Sequence, residues 1–119
     1  MIYNELLDYT FAPIVNHWFI VNEFSGRLGS ELKLVIEFIN GSSLRVFECT
    51  YYDTGNFRYG YQWMNEQNQT IFRWDNTPHF PQFDTFPAHR HVGAQEMGEP
   101  FAAVSLEDVL LFIASQLNP

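Results

Sequence analysis

Three histidines, two arginines and an aspartate crowd one stretch of this 119-residue chain: Arg73-Trp74-Asp75-Asn76-Thr77-Pro78-His79 and, ten residues further on, His89-Arg90-His91. These residue types move protons and hold phosphate. Imidazoles titrate near neutral pH, guanidinium groups pair with phosphate oxygens, and a carboxylate can orient an imidazole. His89 and His91 are two residues apart, so on an extended backbone both rings leave the same side, and Arg90 faces the other way unless a bulge re-aims it. Adjacent imidazoles repel when both are protonated, so at least one is expected to be neutral near neutral pH and able to accept a proton.

Each piece also has a structural reading. Asp75-Asn76 at a strand end suits an Asx turn that satisfies loop amides, and His79 behind Pro78 suits a ring packed into an aromatic loop. Tyr61 and Trp63 belong to the stripe Phe57, Tyr59, Tyr61, Trp63, which reads first as core and second as a stacking surface. His17 reads as a strand histidine and Cys49 as a structural thiol. His79, His89 and His91 with Asp75 or Asp84 could surround a divalent ion, but no zinc-ligand spacing is present, and the expectation is a site without metal or cofactor. A serine triad would lack its Gly-x-Ser-x-Gly elbow, and neither a P-loop nor a Gly-x-Gly-x-x-Gly occurs, which sets ATP and NAD chemistry aside.

The elements that must position these groups are mostly strands. Apolar residues at 2, 3, 6, 7 and 9 predict a short N-terminal helix over Ile2 to Tyr9, ended by Pro13. Val15 to Phe24, Glu31 to Ile39, Leu44 to Tyr52, Phe57 to Met64 and Gln69 to Asp75 alternate or are rich in β-branched and aromatic residues, as strands are. Asn40-Gly41 between the second and third predicts a type I′ hairpin turn. Asn76 to Ala88, with Pro78, Pro81 and Pro87 among Phe80, Phe83 and Phe86, reads as a long packed loop, and His89 to Val92 as a short returning strand. Ser105, with Asp108 as its capping-box partner, opens a helix whose apolar face is Leu106, Val109, Leu110, Ile113 and Leu117. The expected fold class is α+β: an antiparallel meander of five to six strands on a C-terminal helix, with a short N-terminal helix, in a single domain over 1–119.

Composition bounds the function. With 46% apolar and 17% charged residues, a packed globule is expected; no apolar run reaches membrane-spanning length, and no secretory signal opens the chain, so a soluble, cytoplasmic protein is expected. A net charge of −8 disfavours a general nucleic-acid-binding surface. Between Phe57 and Gly93, however, Arg58, Arg73 and Arg90 balance Glu66, Asp75 and Asp84, so the histidine-rich stretch is the least acidic part of the chain.

The segments Tyr61-Gln62-Trp63, Ile71 to Pro81 and Thr85 to Gly93 resemble the TumE family of toxins from prokaryotic toxin-antitoxin systems. That family carries a Tyr-x-Trp strand, an Asp-Asn-x-Pro-His-His-Pro segment and a Phe-Pro-His-His-Lys-His-Val-Gly segment. Phe80 and Ala88 stand where the pattern has histidine, and Arg90 where it has lysine. The resemblance implies a type II toxin silenced by a cognate helix-turn-helix antitoxin, with a RelE-like ribonuclease activity inferred for the family. Metal-free RNA cleavage needs a base, an acid and a cation for the phosphorane charge. Under that reading His89 and His91 are the acid and base, Arg90 and Arg73 stabilise phosphate, and Asp75 orients an imidazole. His79, Asn76, Tyr61 and Trp63 bind substrate, with RNA or the ribosome as partner. The alternatives are an inactive interaction module of the same fold and a metal-dependent hydrolase using the histidines. An exposed strand edge would also allow a homodimer.

Overall fold

The computed structural model describes residues 2–117. Seven antiparallel strands lie side by side in chain order: β1 (Val15–Ser25), β2 (Gly29–Phe38), β3 (Ser43–Tyr51), β4 (Phe57–Met64), β5 (Thr70–Asp75), β6 (His89–Val92) and β7 (Glu99–Pro100). The expected five or six are joined by β7, whose two residues are too few to show a period in sequence. Among the described residues no helix is long and apolar enough to cross a membrane.

Alternation along each strand sorts side chains onto two faces. One face is apolar. Across it Leu34 lies opposite Val46, Val46 opposite Tyr61, and Tyr61 opposite Trp74; a second row runs from Ile36 through Leu44 and Trp63 to Phe72. Helix α2 (Leu106–Leu117) lays Leu106, Val109, Leu110 and Ile113 on this face. Its Phe112 ring meets Trp63, Phe72 and Trp74 edge-on at 6.2, 5.5 and 5.8 Å, the geometry that aromatic quadrupoles favour. The helix starts at the expected capping box: the Ser105 amide donates to Asp108 Oδ2 at 2.9 Å, and the Asp108 amide donates to Ser105 Oγ at 3.1 Å.

The N-terminal helix α1 (Ile2–Glu5) widens into a π-helical stretch over Leu6–Thr10. Leu6, Leu7, Phe11 and Ile14 extend the same core. The turn at Asn40-Gly41 differs from expectation. A type I′ turn needs positive φ at both central residues, but here Gly41 alone has it, at 87°. Asn40 instead accepts hydrogen bonds at its Oδ1 from the amide (3.0 Å) and hydroxyl (2.6 Å) of Ser42. An Asx side chain thus does the work that a second left-handed residue would have done.

Leu110 is fully buried under the aromatic layer. Leu110→Ala should cost about 2–5 kcal/mol, as large-to-small core changes do, read as a lower urea midpoint at unchanged slope.

Candidate functional site

The opposite face of the sheet, built from the alternate residues of the same strands, bears the polar groups. Register determines which of them meet. Lys33 lies opposite Phe47, Phe47 opposite Gly60, Gly60 opposite Asp75 and Asp75 opposite His89. Beside that row runs a second, Val35, Arg45, Gln62, Arg73 and His91. Asp75, His89, Arg73 and His91 therefore form a quartet where the two rows reach β5 and β6.

At the quartet the two imidazole centroids are 4.9 Å apart. Nε2 of His89 is 2.9 Å from Asp75 Oδ1, Nε2 of His91 is 3.9 Å from Asp75 Oδ2, and Arg73 Nε is 3.4 Å from that same Oδ2. Asp75 also closes an Asx turn, accepting the Thr77 amide at Oδ1 (3.0 Å). The outer ring nitrogens are held by the backbone. His89 Nδ1 is 3.0 Å from the Pro87 carbonyl oxygen, and His91 Nδ1 is 3.1 Å from that of Gln95. A carbonyl can only accept, so both Nδ1 atoms carry the proton. Phe80 closes over the rings, edge-on to His89 at 4.8 Å and tilted to His91 at 5.9 Å.

Both histidines are buried, while Asp75 keeps 12% of its side chain exposed. It opens into a cavity of about 310 Å³ lined by Arg58, Arg73, Phe47, Gly60, Tyr51 and Thr77. Phe47, Gly60 and Arg73 also line a trough of about 530 Å³ with Lys33, Arg45 and Gln62, so the two spaces share a floor. Gly60 keeps that floor low: a Cβ built there would meet nothing within 4 Å.

The remaining candidates lie elsewhere. Arg90 is on the apolar side, since β6 pairs with β5 without a bulge and sets it opposite Trp74. There its guanidinium sits between the rings of Phe72 (4.4 Å) and Phe101 (4.3 Å) and pairs with Glu99 at 2.6 Å, a stacked and neutralised arginine. Tyr61 and Trp63 are core residues, beyond reach of a ligand on the other face. Tyr61 donates to Glu48 at 2.5 Å, and burial followed by the Glu48 charge pushes its hydroxyl far above the usual tyrosine range. Trp63 donates to Ser42 Oγ at 3.1 Å. Asn76 ties β5 to β4, accepting the Tyr59 amide at 2.9 Å and donating to the Phe57 carbonyl at 2.7 Å. His79 is exposed on the loop, touching Phe80 rather than the quartet.

Three further basic residues, not evident as site residues from sequence, join this face: Lys33, Arg45 and Arg58. Arg58 reaches the cavity with a buried Nε that has no partner. Their signal was the polar half of each alternation, but assembling them required the register.

The fold is an open antiparallel sheet of the α+β class with a polar face opposite its helix. The family model described as Toxin TumE matches residues 4–117, and the chain belongs to that family. Membership of a toxin family implies an antitoxin as partner. Comparison with curated proteins and with solved structures found no significant match.

Burial, and then the Arg73 charge, hold the His91 imidazole below the usual histidine range. A lowered folded-state pKa favours the neutral ring, so this contribution to stability is complete above about pH 6.5 and is lost as pH falls through the folded value. NMR titration of metal-free protein should place the His91 midpoint below about 6.5; a midpoint at or above it would contradict this electrostatic account.

Proposed function

We propose that this TumE-family toxin is an endoribonuclease that lays single-stranded RNA along the open sheet face and cuts it at Asp75, His89, His91 and Arg73. One observation carries the reading. In a chain of net charge −8 with six basic residues, Lys33, Arg45, Arg58 and Arg73 all fall on the open face and line the trough and cavity that lead to the quartet. Strands are spaced about 4.8 Å apart, so Arg45 and Arg73, two strands apart, are placed to hold separate phosphates while Phe47 offers a ring for a base.

Cleavage through the 2′-hydroxyl requires removal of its proton, stabilisation of charge on the phosphorane and protonation of the leaving 5′-oxygen. Arg73 and Arg58 supply fixed positive charge beside the opening. Asp75 and the imidazoles supply the groups that handle protons. In the wholly metal-free version, His91, held neutral, is the base, and His89 beside the Asp75 carboxylate is the acid. His79, out on the loop, contacts the strand as it leaves the site. The cognate antitoxin, a helix-turn-helix protein, silences the toxin in the cytoplasm by docking on its acidic surface.

Induction of the chain in a bacterial host should arrest growth, and the paired replacement His89→Ala with His91→Ala should restore it. Arrest that survives the pair would remove the quartet from the mechanism. Purified protein should bind single-stranded RNA less tightly as salt rises, with a logarithmic slope of about 0.7 per phosphate neutralised. Arg45→Ala should make that slope shallower by one such step. Gly60→Leu should block the trough and abolish cleavage while the thermal melt stays within a few degrees of wild type; unchanged cleavage would place the RNA elsewhere.

A further inference from the structure

We infer that Asp75, His89 and His91 form a binding site for one divalent transition-metal ion. This concerns the same quartet as the ribonuclease reading, but binding of the ion does not depend on RNA being the substrate.

The argument starts from where the protons are. Both Nδ1 atoms donate to backbone carbonyls, so in the neutral rings both Nε2 atoms present lone pairs. Each Nε2 is buried and without a hydrogen-bond partner. Facing them are the two oxygens of one carboxylate, at 2.9 and 3.9 Å. The closer pair is at ion-pair distance but lacks hydrogen-bond alignment. Lone pairs pointed at a carboxylate at such distances repel unless a cation lies among them. A proton on His89 would relieve one contact and leave His91 unsatisfied, whereas a metal ion would satisfy all three donors.

The chemistry of the set fits. Nitrogen from two imidazoles and oxygen from one carboxylate is a donor combination that first-row divalent ions accept, with further positions left for water or substrate. The ligand atoms all lie within 4.8 Å of one another. Bonds of about 2.0–2.2 Å hold neighbouring ligand atoms roughly 3–3.5 Å apart, so the wider pairs would close slightly while the 2.9 Å pair of His89 and Asp75 already stands at about that spacing.

The surroundings are those of a prepared site. A ligating histidine commonly donates its other N–H to a carbonyl, which sets the tautomer and the ring plane; both rings do so here. Phe80 closes one side of the pair. Gly98 backs His89 so closely that a Cβ there would stand 2.9 Å from the Phe80 ring and 3.1 Å from the His89 ring. The open direction is toward the Arg58 and Arg73 cavity. An ion there would have its free position facing the same space as the two guanidinium groups, which suits a phosphate oxygen or a water as the remaining ligand.

The sequence left open which of His79, Asp75 and Asp84 would join His89 and His91, because thirteen loop residues separate Asp75 from His89. Only β5–β6 pairing brings them together.

The test is metal binding to the full chain, stripped with chelator and titrated with Zn²⁺ by calorimetry and with Co²⁺ by visible absorption. One equivalent should bind and raise the melting temperature, and excess chelator should reverse the shift. His91→Ala and Asp75→Asn should lose stoichiometric binding, and His17→Ala should keep it. X-ray absorption of the zinc-loaded wild type needs no variant to fold, and should show a nitrogen and oxygen shell with outer scattering from two imidazoles. Failure of both ions to reach one equivalent, retention of binding in His91→Ala, or sulfur in the shell would overturn the site. Metal binding without RNA cleavage would sink the ribonuclease reading alone; chelator-resistant cleavage by protein that binds no metal would sink the metal site alone.

Discussion

Strand register under an aromatic layer is the constraint on which the rest of this protein depends. Tyr61, Trp74, Leu34, Ile36 and Leu44 are almost wholly withdrawn from water on one face of the sheet, and each such side chain contributes about 1.5–3 kcal/mol by leaving it. A slip of one residue between β5 and β6 would turn His89 and His91 into that layer and Arg90 out of it. The apolar face, pressed by α2, therefore holds in place a polar face it never touches. Site geometry is inherited from core packing.

The two faces handle charge differently. On the apolar side, Arg90 is stacked between Phe72 and Phe101 and neutralised by Glu99, so its charge is spent within the fold. On the open side, Arg45 and Lys33 remain exposed and Arg58 is only partly covered. An acidic molecule thus has a basic furrow, and the sign of the net charge says little about the field within it.

The long connection from Asn76 to Ala88 contributes more than closure. Its Pro87 carbonyl sets the tautomer of His89, and its Phe80 ring covers both imidazoles while stacking on Phe83 at 5.1 Å. Thr85 anchors the end of the loop, donating to the Ala88 carbonyl at 2.7 Å and accepting the Phe101 amide at 3.2 Å. Gly98 closes on His89 from beside Phe80, so the segments on either side of β6 cover the buried pair together.

Local pattern was enough to read the strands, the C-terminal helix with its capping box, and the fact that His89 and His91 share a side, because each depends on residues close in the chain. Asp75 and Arg73 were also legible as partners, being two apart on one strand. Alternation likewise set Arg90 on the side opposite the histidines and read Tyr61 and Trp63 first as core, but it could not show that no bulge re-aims Arg90 or that Lys33, Arg45 and Arg58 line one furrow. Those outcomes follow from which residue lies opposite which across neighbouring strands. Pairing is a non-local property decided by the summed burial of the whole aromatic face, and only the tertiary structure carries that sum.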